Sequence, residues 1–281
     1  MEHGSHTPAG TTAAAIAVPG LSIAQDGYQL RDVRAPAVTG VDGRLSFKLT
    51  GPGGAPVAEY TTAHDRELHL IVVRSDGAEF RHVHPSYDGN GSWSIPWTWS
   101  EAGTYRVFAD FVPTDLGDTL TLTTTVSVAG ELNPRPLPQD STVATIGDLT
   151  VTLVGQVAAQ AHSDLTFTVS RAGRPVTDLE PYLGAYGHLV ALREGDLAYL
   201  HVHPMGEPGD GITQPGPDIA FMATTPTDGK YFLYLDFQVD GQVHTAEFAV
   251  TAAPASEQHK TAHHIAAHHS TSHHITAPSH H

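Results

Sequence analysis

The sequence predicts an all-β chain of two tandem antiparallel β-sandwich domains with disordered termini. Two observations carry this. One pattern occurs twice, as His69-Leu-Ile-Val-Val-Arg-Ser-Asp-Gly-Ala-Glu-Phe-Arg-His82-Val-His84-Pro85 and as His188-Leu-Val-Ala-Leu-Arg-Glu-Gly-Asp-Leu-Ala-Tyr-Leu-His201-Val-His203-Pro204, with every histidine shifted by 119 positions. The rest of both halves breaks into short apolar runs divided by Gly, Pro and Asp turns, with no helical period.

In chain order, residues 1–20 are rich in Ala, Gly, Thr and Pro and read as a disordered leader. If Met1 is a free terminus, Met1-Glu2-His3 offers an amine, amides and an imidazole that can wrap Cu(II) or Ni(II), although a chance histidine in a flexible leader explains it equally well. The first domain spans residues 21–130. Its strand-like runs are Gly27–Val33, Arg44–Thr50, Leu68–Arg74, Glu79–His84, Ser92–Trp97, Thr104–Phe111 and Thr119–Val128. Turn signals separate them, among them Gly-Pro-Gly-Gly at 51–54, Ser-Asp-Gly at 75–77 and Asp-Gly-Asn-Gly at 88–91. Strands of this length and spacing suit an immunoglobulin-like or cupredoxin-like sandwich. Residues 131–140 carry three prolines and read as a semi-rigid linker. The second domain, 141–252, repeats the first, with about seven extra residues in the Gly/Pro-rich stretch Met205–Asp218. Residues 253–281 form a His-rich tail without an apolar face, containing His263, His264, His268, His269, His273, His274, His280 and His281. The tail reads either as a disordered metal-binding tract or as a purification handle.

Each copy of the repeated pattern is two apolar runs around a tight turn, a hairpin signal. With the turn centred near Asp76–Gly77, His69 falls opposite His84, and His82 shares their face because side chains alternate along a strand. Cross-strand Cβ atoms stand about 4.5–5.5 Å apart, so three imidazoles converge. The same holds for His188, His201 and His203. One buried histidine is ordinarily a hydrogen-bonded core residue, whereas three converging ones, repeated, point to a metal. The expectation is therefore one site per domain, formed by His69/His82/His84 and by His188/His201/His203. Asp110 and Asp236 occupy matched positions in Phe-Ala-Asp-Phe and Tyr-Leu-Asp-Phe. A carboxylate in an apolar strand needs a partner, so each is expected to ligate the metal or to orient a ligand imidazole. His64, five residues before His69, is a possible fourth ligand; Leu183 stands at the matched position.

Composition narrows the chemistry. A 281-residue chain with 40% apolar and 16% charged residues is long enough for two folded domains. A net charge of −16 argues against nucleic acid and anionic membranes and favours cations. There is no Cys and only three Met, which leaves imidazole and carboxylate as ligands and points to Cu(II) first and Zn(II) next. No stretch is long enough to span a membrane as a helix. The beginning of the chain lacks the basic region of an export signal, so an extracytoplasmic protein whose signal is not in this sequence is expected.

The motifs Leu-His-Leu-Ile-Val-Val-Arg-Ser-Asp, Tyr-Arg-Val-Phe-Ala-Asp-Phe and the two His-Val-His-Pro segments resemble a group of secreted actinobacterial two-domain proteins, over roughly residues 21–250. The resemblance implies metal handling at the cell envelope, with copper the leading ion. The function expected is thus metal binding for storage, buffering or delivery, with a metal-transport or metal-accepting protein as a possible partner. Two alternatives stand beside it. The histidines could be structural in a surface scaffold or adhesion protein. Alternatively, Gly195, His201, His203 and Glu207 have the spacing of a first cupin motif, which would make the second domain a metal-dependent oxygenase, but the later cupin motif has no match. No complete catalytic constellation stands out, so an enzyme is not expected.

Overall fold

A computed structural model of the chain describes residues 18–255, His201 excepted. His3 and the tail histidines lie outside the described residues. The first domain contains β1 (Ala24–Gln25), β2 (Tyr28–Arg34), β3 (Gly43–Thr50), β4 (Tyr60–Thr61), β5 (Leu68–Arg74), β6 (Arg81–Val83), β7 (Ser86–Tyr87), β8 (Ser92–Trp97), β9 (Gly103–Pro113) and β10 (Leu120–Val128). The second contains β11 (Val143–Ile146), β12 (Leu149–Val154), β13 (His162–Arg171), β14 (Arg174–Pro175), β15 (His188–Arg193), β16 (Tyr199–Leu200), β17 (Val202–Pro204), β18 (Asp218–Thr224), β19 (Gly229–Val239) and β20 (Gln242–Ala252). Helix among the described residues is limited to a 3₁₀ turn at Pro52–Gly54.

Each domain is a sandwich of two antiparallel sheets. The first pairs the order β1-β2-β3-β8-β7 with β10-β9-β5-β6, and the second pairs β11-β12-β13-β18-β17 with β16-β15-β19-β20. The expected strands appear with shifts of one or two residues at their ends. Period-two alternation explains the packing: Leu45, Phe47 and Leu49 of β3 meet Leu68, Leu70 and Val72 of β5 in the first core. Leu165, Phe167 and Val169 of β13 meet Leu189 and Ala191 of β15 in the second.

All seven residues of β5 are buried. A half-solvated strand would show alternation, whereas a continuous apolar run marks burial on both faces. The outer face of β5 accounts for the rest: Ile71 and Val73 belong to a third apolar cluster with Phe108, Val190, Leu192, Phe232 and Tyr234. That cluster is the contact between the domains, formed where the β5/β9 sheet meets the β15/β19 sheet. His69 and His188 lie on these same outer faces, by alternation with Ile71 and Val190.

The interface has internal two-fold character. Phe80 stacks on Tyr234 with ring centroids 3.9 Å apart. The matched residues in the opposite sense, Tyr199 and Phe108, lie 5.7 Å apart. Arg106 donates to the carbonyl of Asp196 at 3.0 Å, while its counterpart Phe232 lies against Gly77. The two repeats therefore meet as the halves of an isologous dimer would. The linker is held at both ends. Arg135 pairs with Glu79 at 3.0 Å, and Lys230 donates to the Pro138 carbonyl at 2.8 Å.

Candidate metal centre

The hairpin register follows the sequence symmetry. Leu70 pairs with Val83, Ile71 with His82 and Val72 with Arg81, so His84 falls one step on, opposite His69. In the second domain Ala191 pairs with Leu200 and Leu192 with Tyr199, but the ladder to β15 stops there and His203 pairs with Met222 of β18 instead of facing His188. The His-Val-His segment is also where the chain leaves one sheet for the other. Arg81–Val83 pairs with β5, whereas Ser86 and Tyr87 pair with β8. In the second domain Tyr199–Leu200 pairs with β15 and Val202–Pro204 with β18.

His69, His82 and His84 bring one nitrogen each to within 4.8 Å of one another, and this triad could hold a metal ion. His69 Nδ1 is 3.0 Å from His82 Nε2 and 3.2 Å from His84 Nε2. Their far-side partners fix the tautomers of two rings. His69 Nε2 is 3.0 Å from the carbonyl of Ala63, which can only accept, so the proton sits on Nε2 and Nδ1 carries a lone pair. His82 Nδ1 is 2.9 Å from Asp236 Oδ2, so its proton sits on Nδ1 and Nε2 carries a lone pair. Two lone pairs therefore face each other at 3.0 Å in a buried place. A single proton on His84 Nε2 can satisfy only one of them; a cation among the three nitrogens satisfies all.

Asp236 belongs to the second domain. Its other oxygen accepts from Thr245, 2.6 Å away on the neighbouring strand, which leaves Oδ2 for His82. The His82 and Asp236 side chains are only 5% and 4% exposed, so the pair is shielded from solvent. A carboxylate behind a ligand imidazole is the arrangement that orients metal-binding histidines. Asp110 repeats the construction in the first domain, accepting from Thr121 at 2.7 Å across the matched strand pair. Burial raises the Asp110 carboxyl to about 6 against the lowering hydrogen bond from Thr121.

His188 repeats His69. Its Nε2 is 2.8 Å from the carbonyl of Tyr182, again six residues earlier, which leaves Nδ1 unprotonated. Both carbonyls come from the same device, a tight turn in which Ala63 pairs with Arg66 and Tyr182 with Ala185. His64 and Leu183 occupy the first of its two left-handed positions, with φ of 49° and 55°. His64 reaches across the interface, its ring 5.1 Å from His188 and 6.0 Å from His69. His203 lies on β17, exposed and opposite Met222. His201 is outside the described residues. Glu207 is exposed in the loop after β17, its backbone N–H held by Asp210.

Desolvation dominates the electrostatics. It holds His69 and His84 down to about 3 and His188 down to about 4, and it lowers His64 as well. These imidazoles are neutral at pH 7, as metal ligands must be. A cavity of about 110 Å³ between the domains is lined by His64, Glu67, His69, His82, Asp110 and His188. The structure thus draws His64, His69 and His82 of the first domain and His188 of the second to one interdomain cleft. The separate site per domain that hairpin geometry suggests does not anticipate this, nor that Asp236 serves the opposite domain.

The backbone acceptors Ala63 and Tyr182 carry no signature in the sequence, because any residue supplies a carbonyl. Thr121 and Thr245, which the sequence does not single out, are placed beside the two aspartates by strand pairing.

No curated protein matches the chain. Among solved structures, a DUF4426 family protein from Pseudomonas aeruginosa PAO1 is 13% identical over 41% of this chain and 95% of its own, with a TM-score of 0.28. Fibronectin(III)-like modules of CbhA from Clostridium thermocellum are 12% identical over 81% of this chain and 95% of their own, with a TM-score of 0.22. A putative membrane anchored protein from Corynebacterium diphtheriae is 12% identical over 83% of this chain and 60% of its own, with a TM-score of 0.24. A family model described as "Domain of unknown function (DUF8832)" matches residues 23–130 and again residues 144–254. These two stretches follow the two sandwiches, and the chain belongs to the DUF8832 family, whose domain it contains twice.

Proposed function

We propose that this protein binds transition-metal ions at His69, His82 and His84, Cu(II) first and Zn(II) next, for storage, buffering or delivery outside the cytoplasm. One observation carries the reading: the Ala63 carbonyl and the Asp236 carboxylate fix two tautomers so that lone pairs converge on one point. Imidazole sites bind Cu(II) most tightly among the divalent first-row ions, with Zn(II) below it. The net charge of −16 attracts cations to the surface. The extracytoplasmic setting rests on the resemblance of the repeated motifs to secreted proteins. In the second domain His188 repeats the tautomer of His69.

The test is a metal titration of residues 18–255, which keep every described strand while leaving out the terminal histidines that would bind ions of their own. The cut falls after residue 255 because Ala253 is hydrogen-bonded to Val157 and Ala159. Uptake at micromolar metal is expected, reduced when His82→Ala and His84→Ala are combined. No uptake would leave the histidines structural and favour the scaffold reading.

A further inference from the structure

We infer that the interdomain cleft holds a second metal position beside the triad, formed by His64 of the first domain and His188 of the second, so that the centre takes two ions. The inference rests on the triad being a metal site and adds to it a position that neither domain can form alone.

Ring spacing separates the two positions. An ion bound tetrahedrally at about 2.0–2.1 Å from each imidazole nitrogen sets the ring centroids about 5 Å apart. Within the triad the centroids are 5.2, 5.0 and 5.1 Å apart. His64 and His188 are 5.1 Å apart, the same spacing. The connecting distances are longer: 6.0 Å from His64 to His69 and 6.4 Å from His82 to His188. Five rings therefore divide into three and two around adjacent points, instead of forming one cluster.

The chemistry of the pair agrees. His188 gives its Nε2 proton to the Tyr182 carbonyl, which leaves Nδ1 as a donor to metal. His64 is not required by its turn, since the matched turn is built with Leu183 at a similar φ. The two turns meet across the interface, with the Asp65 carboxylate beside Gly184, and this brings a first-domain imidazole to a second-domain one. Glu67 and Asp110 line the same cavity. The cavity of about 110 Å³ exceeds the roughly 30 Å³ share of one water, which leaves room for an ion and its water ligands.

Crystals of the full chain loaded with Zn(II), measured at the zinc absorption edge, test this directly. Two anomalous peaks are expected in the cleft, one bonded to His69, His82 and His84 and one bonded to His64 and His188. In His64→Leu, which installs the residue of the matched turn and so preserves the fold, the second peak should vanish and the first remain. A single peak at the triad in the unaltered chain overturns the second position and leaves the triad reading standing. A second peak that survives His64→Leu also overturns it. No peak at the triad overturns both.

Discussion

His82 in the first domain donates its Nδ1 proton to Asp236 in the second, 2.9 Å away, and this contact sets which nitrogen of His82 faces His69. Ligand orientation in one sandwich therefore depends on the other. Asp236→Asn should make the dependence visible. The amide can present N–H to His82 Nδ1, which moves the imidazole proton to Nε2 and blocks the metal-facing lone pair. Loss of such an orienting carboxylate typically weakens metal binding about 10- to 100-fold. Competition for Zn(II) against a chromophoric chelator, using residues 18–255, measures it. An unchanged affinity would show that Asp236 does not orient a ligand.

The metal-free protein should lose stability in acid from the ordinary histidine range downward. Burial lowers His69, His84 and His188 to about 3, 3 and 4 in the folded state, while the unfolded values lie near 6.5. Between those limits the unfolded chain binds more protons, so stability rises with pH. The stability is fully present above about 6.5 and falls progressively towards 3. Asp110, raised to about 6, works in the opposite direction over part of that window, one carboxyl against three imidazoles. Denaturant midpoints at pH 7.5, 6 and 5 should fall in that order; equal midpoints would contradict the burial of neutral imidazoles. Metal binding should accordingly persist below pH 6.5, the point at which unperturbed histidines would release it.

Gly77 tests the interface. A Cβ there would stand 2.9 Å from the Phe232 ring, at a φ of 78° that L-residues rarely adopt. Gly77→Ala should cost about 1–3 kcal/mol from strain and overpacking, a fall in Tm of several degrees. Gly40→Ala, at a φ of 69° with open space around it, incurs only the backbone part. A drop for Gly77→Ala no larger than that for Gly40→Ala would place Phe232 elsewhere.

The first domain alone should be a poor surrogate for the whole. Separated from its partner it exposes Ile71, Val73, Phe80 and Phe108, a contiguous apolar face. Light scattering is expected to show self-association of residues 18–130, whereas a soluble, monomeric first domain would mean that the face is not held by the second.

Much of this architecture can be read from the sequence, for identifiable reasons. The hairpin register follows from the symmetric placement of His69 and His84 about Asp76–Gly77, and the strand limits follow from Gly and Pro turns. The unbroken burial of Leu68–Arg74 was also present as an apolar run, but a strand reads the same whether its second face meets another sheet of its own domain or another domain. That ambiguity hid the interface, and with it the pairing of Asp236 with His82 across 154 positions. His64 stood out by its spacing from His69, yet its approach to His188 depends on two turns meeting in space.

The central claim is that three specific nitrogens converge, with His69 Nδ1 and His82 Nε2 held as lone pairs by their far-side partners and His84 Nε2 beside them. Long-range ¹H–¹⁵N correlation of the histidine rings in residues 18–255, before and after Zn(II), measures this most directly. The account predicts His69 protonated at Nε2 and His82 at Nδ1 in the metal-free protein, with coordination shifts at His69 Nδ1, His82 Nε2 and His84 Nε2 once zinc is added. The opposite tautomers, or ring nitrogens that do not respond to zinc, would contradict it.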